Sequence, residues 1–260
     1  MPYLSKIRIN PQRASAIRLL RTPYRLHGAV QAAFPNQAVD ERVLWRLETD
    51  TPRRPHLLVL SEHTRPDWTH LVEQAGWPGA EGDHFLVGDY TPLLDRLAAG
   101  QEYAFRLAAN PVQNTKRPDK LTPEQEARLK ETEPGTRTRG FRVGHRTASA
   151  QFAWFLARCE RAGFTIPAVR TTTAPAPGLT LCEKSEPAPD AALIKRDSHR
   201  FRKKKNGPQI TLTTATFQGR LRVEDPEALR AALLAGIGPS KAYGCGLLTL
   251  APLPQEAPRG

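Results

Sequence analysis

Hydrophobic and polar positions along this chain follow two periods that take turns. From Tyr3 to Asn10 the period is two, with Ile7 and Ile9 on one side and Lys6 and Arg8 on the other, which predicts a strand. Thr22-Pro23 then reads as a helix cap with a first-turn proline, and Leu26, Val30 and Ala33 recur at helical spacing as far as Phe34, before Pro35. Val43, Trp45 and Leu47 alternate as a second strand, and Leu57 to Leu60 makes a third. Asp67 can cap a second helix, whose apolar residues Trp68, Leu71, Val72 and Ala75 stop at Gly76. A short strand over Phe85 to Val87 closes a βαββαβ unit, the order of a ferredoxin-like or RRM-like domain.

The order recurs in the second half. Tyr103 to Ala109 reads as a strand, followed by a polar, basic loop from Asn110 to Arg146. Phe152, Phe155, Leu156 and Cys159 give the segment Gln151 to Gly163 one apolar helical face. The next strand falls near Thr165 to Val169 or near Ala192 to Ile194, on either side of a Pro/Ala/Thr-rich surface stretch from Thr171 to Asp190. Ile210 to Val223 is long and β-rich, with Ile210 and Leu212 in even register but Ala215, Phe217, Leu221 and Val223 in odd register. A bulge or bend near Thr213-Thr214 would reconcile them. A helix capped by Asp225-Pro226 follows. The fold class expected is α+β: two tandem ferredoxin-like (RRM-like) βαββαβ domains, over residues 1–96 and 97–260.

The last helix runs into LLAGIGPSKAYGCGLLTL, residues 233–250. Gly236 is placed to end the helix, and Gly238, Gly244 and Gly246 allow close backbone approach around Ser240, Lys241 and Tyr243. A nucleotide-binding P-loop needs Gly-Lys followed at once by Ser or Thr, and here the order is Ser240-Lys241, between a helix and a strand. Two readings remain: a loop packed on a polynucleotide backbone, or a purely structural turn. Charge bears on this choice. The chain carries 38 Lys+Arg against 26 Asp+Glu, a net +12 that favours a polyanionic partner, nucleic acid or an anionic membrane surface. No apolar run approaches the ~20 residues of a membrane helix, and the N-terminus lacks a signal-peptide core. The widely spaced Cys159, Cys182 and Cys245 form neither a disulfide framework nor a zinc knuckle. A soluble, cytoplasmic, nucleic-acid-binding chain is expected.

Two clusters could carry chemistry. Lys195 to Lys205 holds seven Lys/Arg in eleven residues, including Arg200, Arg202, Lys203, Lys204 and Lys205, ahead of an Asn206-Gly207 turn signal. At a hairpin tip this run can enter a groove of structured RNA. Tyr24, His27 and Gln31 fall at i, i+3 and i+7 on the first helix, near its free N–H groups, where a phosphate is favoured. A histidine and a tyrosine beside a phosphodiester can act as base and acid in transesterification. His63 and His70 flank Asp67, but their spacing does not make a metal site, and no metal or other cofactor is expected.

The glycine loop, Tyr24-Arg25-Leu26-His27, the start Tyr3-Leu4-Ser5-Lys6 and Arg106 to Pro111 stand in the order found in the CasE family, which this sequence resembles over nearly its whole length. That family comprises the CRISPR repeat-RNA endoribonucleases of the type I-E Cascade complex. The resemblance implies two ferredoxin-like domains and metal-independent cleavage at the base of a repeat hairpin. The upstream 2′-hydroxyl would attack, leaving a 2′,3′-cyclic phosphate and a 5′-hydroxyl. It makes His27 the catalytic histidine and Tyr24 its partner, and it implies the crRNA and other Cascade subunits as partners. Gly28 and Ala32 stand where relatives can carry basic residues, so Arg21, Arg25 and Lys241 become candidates for stabilising the transition state. A Cβ at Gly244 is expected to weaken RNA binding more than stability. A non-catalytic RNA-binding subunit of the same assembly is the alternative reading.

Overall fold

The computed structural model describes residues 1–35, 41–79, 82–115, 126, 140–169, 188–203, 207 and 209–253. β1 (Tyr3–Arg8) pairs antiparallel with β3 (His56–Ser61) on one side and β4 (Phe85–Asp89) on the other. β2 (Val43–Glu48) lies beyond β3, so the order is β2-β3-β1-β4. Three helices belong to this unit: α1 (Ala14–Leu20), α2 (Pro23–Gln31) and α3 (Thr69–Ala75). α2 and α3 follow the periodicity, although Asp67 sits one residue before the N-cap Trp68 and accepts from the Thr69 backbone N–H at 2.9 Å. α1 is an addition to the expected order. It begins at Arg13 with no side-chain cap and no acidic residue in its first turn, so no start signal marks it.

α4 (Thr91–Asp95) leads into the second sheet. There β5 (Glu102–Ala109) lies between β11 (Leu248–Ala251) and β10 (Gln209–Val223). Both alternatives for the next strand exist and share one edge. β8 (Phe164–Thr165) pairs with the end of β10, and β9 (Ala191–Arg202) pairs with Gln209 to Gly219. The expected loop from Asn110 to Arg146 contains a two-stranded hairpin, β6 (Val112–Thr115) and β7 (Phe141–Gly144). α5 (Ala148–Cys159) and α6 (Pro226–Ala235) cover one face, where Phe155 stacks on Phe217 at 4.7 Å and on Phe105 at 5.5 Å. Among the described residues no helix is long and apolar enough to cross a membrane.

The mixed register of β10 has a different cause from the bend expected. Pairing runs unbroken through Thr213 and Thr214, so the even and odd residues lie on opposite faces. Ala215, Phe217, Leu221 and Val223 enter the α5/α6 core, while Leu212 is buried on the other face, opposite His199. The irregularity comes at Thr216/Phe217 and leaves Ile194 of β9 unpaired.

The first sheet is covered on both faces. Trp45, Leu57, Val59 and Ile7 pack under α1, α2 and α3, whereas Leu44 and Leu60 join the core of the second unit. On that second face Arg46, 4% exposed, crosses between units. Its Nε donates to Glu48 Oε1 at 2.7 Å and its Nη1 to the carbonyls of Arg106 (2.9 Å) and Leu247 (2.8 Å). Its Nη2 donates to Thr249 Oγ1 at 2.7 Å. Glu48 also accepts from Arg106 Nη1 at 2.7 Å, and Arg106 in turn meets Asp50. Arg46→Ala removes one of the two guanidiniums that Glu48 meets, and with it the donor to the Leu247 carbonyl. We expect the unfolding free energy to fall by about 2–4 kcal/mol, read as a lowered urea midpoint.

Candidate active site

α2 starts where the sequence placed it. Thr22 Oγ1 accepts from the Arg25 backbone N–H at 3.4 Å, and Pro23 takes the first turn. Burying Leu26, Ala29 and Val30 turns Tyr24 and Arg25 to solvent and leaves His27 and Gln31 half-buried. The far end of the helix is held from α3, because His70 Nε2 bonds the Ala29 carbonyl at 3.0 Å. Gly28 is exposed with nothing within 4 Å of an added Cβ, and Ala32 is exposed as well. Arg21 and Arg25 are both exposed, and Arg25 Nη1 reaches the Arg18 carbonyl at 3.4 Å.

The C-terminal loop lies against this helix. Its 3-10 turn, Lys241–Tyr243, packs on α2 and β2. The four glycines explain how it fits there. An added Cβ would meet Leu44 from Gly236 at 2.8 Å, Trp154 from Gly238 at 2.8 Å and Trp45 from Gly244 at 2.7 Å. From Gly246 it would meet the Ile237 carbonyl at 3.2 Å. What the loop leaves toward α2 and solvent is Lys241 and Tyr243. Lys241 is half-buried, and burial, with the nearby Arg42 charge adding to it, lowers its pKa below the ordinary lysine value.

The β9–β10 hairpin completes the arrangement. Phe201 is buried edge-on against Tyr243, with ring centroids 5.1 Å apart, and Lys203 Nζ stands 5.9 Å from the Tyr243 centroid. His27 is held below its ordinary pKa, first by burial and then by the Lys203 charge. A histidine from α2, an aromatic ring from the loop and a lysine from the hairpin thus come together, from positions far apart in the chain. Below them an interdomain cleft of about 230 Å³ is lined by residues that include Thr22, Arg106, Lys195, Asp197, His199 and Tyr243.

The sequence matches the CRISPR-associated protein family over residues 2–252. The chain belongs to that family. Among its relatives is the CRISPR-associated endoribonuclease Cse3 of Thermus thermophilus, 30% identical over 256 residues, which are 96% of this chain and all of that one. The Cascade subunit CasE of Escherichia coli is 46% identical over 48 residues, covering 18% of this chain and 24% of CasE. The fold is shared with Thermus thermophilus Cse3 solved on an RNA representing a pre-cleavage complex. That structure is 28% identical, covers 96% of this chain and 99% of its own, and has a TM-score of 0.68.

For this member of the family, Tyr24 and Arg25 are exposed on α2 and the four glycines pack the loop, while the histidine and the remaining basic residues singled out in the sequence fall into three groups. His27, Lys203 and Lys241 lie at or beside the junction of helix, hairpin and loop. Arg200 and Arg202 are exposed along β9, where Arg202 Nη1 donates to the Gly207 carbonyl at 3.0 Å. Lys204 and Lys205 lie outside the described residues. Among the described residues the basic run is mostly strand: Lys195 to Arg202 pairs with β10, and Lys203 continues past it. Sequence reasoning missed Tyr243 as a site residue, although its place between Lys241 and Gly244 in the glycine loop was a usable signal. Among the described residues no group of three or more His, Cys, Asp or Glu side chains is placed to share a metal.

The expectation for Gly244 changes with this geometry. At φ 78° any side chain is strained, and a Cβ drives into the Trp45 ring. Gly244→Val should therefore cost at least about 2 kcal/mol in urea unfolding. RNA affinity of the fraction that remains folded then separates the two readings of the loop: normal affinity makes it a packing element, and lost affinity makes it an RNA contact as well.

Proposed function

We propose that this chain is a metal-independent endoribonuclease that cuts CRISPR repeat RNA at the base of its hairpin. We further propose that it acts in the cytoplasm and stays on its product as a subunit of the Cascade assembly. Family membership and the endoribonuclease and RNA-bound relatives support the reaction class and substrate. The observation that carries the mechanism is the junction of His27, Lys203 and Tyr243.

In this mechanism the upstream O2′ attacks the scissile phosphorus. The O2′–P bond forms and the P–O5′ bond breaks, giving a 2′,3′-cyclic phosphate and a 5′-hydroxyl. A 2′-hydroxyl needs a base, and the lowered pKa of His27 leaves its imidazole neutral at pH 7 and able to accept that proton. Tyr24, one helical turn earlier and exposed, donates toward the phosphate or the leaving O5′. No basic side chain grows from Gly28 or Ala32, so charge building on the phosphorane falls to cations brought from other elements. Lys203 is first among these, with Arg25 and Lys241 around it. Arg200 and Arg202, on the β9–β10 strand pair, meet stem phosphates, and the charges of Lys204 and Lys205 add to the attraction for the same stem.

Removing an acid–base group typically costs ~10²- to 10⁴-fold in rate. His27→Ala should slow single-turnover cleavage of a cognate repeat by at least that lower bound, with hairpin affinity little changed. A 2′-deoxy nucleotide upstream of the scissile phosphate should block the wild-type protein, and chelator should not. Cleavage that survives the deoxy substitution, or stops in chelator, would refute the 2′-hydroxyl route. No cleavage at all with tight binding would instead assign the chain a purely RNA-binding role.

The electrostatics add a pH test. The Lys203 charge opposes protonation of His27, so Lys203→Met lets the His27 pKa rise toward its ordinary value. A base must be deprotonated to act, so the acidic limb of the rate profile should move to higher pH. At saturating protein the variant should lose more rate at acidic pH than at pH 8.

A further inference from the structure

A second cationic surface lies at the β1–α1, β2–β3 and α3–β4 loops of the first unit. Trp77, half-buried just after α3, stands between two clefts. One, of about 500 Å³, is walled by Arg8, Arg53 and Arg54 with prolines between them, and the other is flanked by Arg13. The volume is in the range of small-molecule sites. Among the described residues neither cleft is lined by Asp or Glu. Arg8 donates to the Asp83 carbonyl at 3.3 Å and Arg13 to the Gly76 carbonyl at 3.4 Å. These acceptors are neutral, so they fix the guanidiniums without cancelling their charge. Four guanidiniums around one indole make a site for a ligand that is anionic and flat at once.

We propose that Trp77 is a stacking platform for a single-stranded segment of RNA, with Arg8, Arg53 and Arg54 neutralising the phosphates beside the stacked base. Indole and guanidinium planes take any base, so the surface is tolerant of sequence. Its position suits a strand that leaves the catalytic region. The β2–β3 turn contributes Thr49 and Asp50 to the interdomain cleft and Pro52, Arg53 and Arg54 to the Trp77 cleft. The inference rests on the reading that the chain binds repeat RNA, and it adds a contact with the unpaired RNA beside the hairpin.

The test compares three RNAs on the full chain: the minimal repeat hairpin, the hairpin with a ten-nucleotide single-stranded extension on either side, and an unstructured oligonucleotide. Wild-type protein should bind the extended hairpin more tightly than the minimal one. Trp77→Ala should remove at least about 5-fold of that gain, as loss of one stacked base does, and Trp77→Phe should restore much of it. Arg53→Ala/Arg54→Ala, at exposed turn positions, should lower the salt slope for the extended RNA by about 1.4, two single-strand phosphates. Binding and cleavage of the minimal hairpin should be unchanged in all three variants. Equal losses on minimal and extended RNAs, or an extension that adds nothing in the wild type, would overturn the platform. RNA binding unaffected in every variant would also overturn it and give the patch to a protein partner. If the wild type fails on the minimal hairpin alone, the repeat-RNA reading falls, and the unstructured oligonucleotide still tests Trp77.

Discussion

The Arg46 guanidinium carries a full charge into a protein interior, where an unpaired cation is not tolerated. It is accommodated because its donors meet fixed acceptors, and those acceptors belong to both halves of the molecule: Glu48 from its own strand, and the Arg106 carbonyl, the Leu247 carbonyl and Thr249 from the second sheet. Apolar packing of Leu44 and Leu60 across the same interface has no direction of its own and is indifferent to small slides. The fork of Arg46 is directional, so it fixes the register of one sheet against the other. A slide that broke it would leave a buried cation short of acceptors.

That register places the site. α2 belongs to the first unit, while the loop and the hairpin belong to the second, and His27, Tyr243 and Lys203 meet only if the two halves keep one orientation. The glycine loop enforces this a second time, since Gly236 and Gly244 let the second unit's backbone press onto Leu44 and Trp45 of β2. Trp45 therefore has α2 above it and the loop beside it. The candidate chemistry sits above that contact.

Local signals were readable in the sequence, and contacts over long chain distances were not. Thr22-Pro23, Asp225-Pro226 and Gly236 act within one helical turn, and each begins or ends a helix as its residue type dictates. The same helix start places Tyr24 and His27 one turn apart on α2. α1 has no cap to announce it, and β6 and β7 pair only with each other across a long insertion. The divided strand position of β8 and β9 could not be chosen from periodicity, because both candidates were correct. The two registers of β10 carried real information, but two buried faces of a long strand produce the same pattern as a bend. The role of Arg46 was not legible at all, since three of its four acceptors come from the second sheet and nothing near it in sequence announces them.

β10 is anchored in the second core from Ala215 to Val223, and outward of its last pair with β5 at Ala215 it is held mainly by β9. The six steps from Ala215 to Gln209 span roughly 20 Å, so a tilt of about 3° at that point displaces the outer end by about 1 Å. Displacement on that scale can cost on the order of 100-fold when it misaligns reacting groups. The hairpin is a cantilever, and the edge-on contact of Phe201 with Tyr243 is the strut that shortens its free length. The same ring that stands beside Lys203 thus limits how far the hairpin arm can swing relative to His27, and the stiffness of that aromatic pair bounds how accurately the arm and the helix are held in alignment.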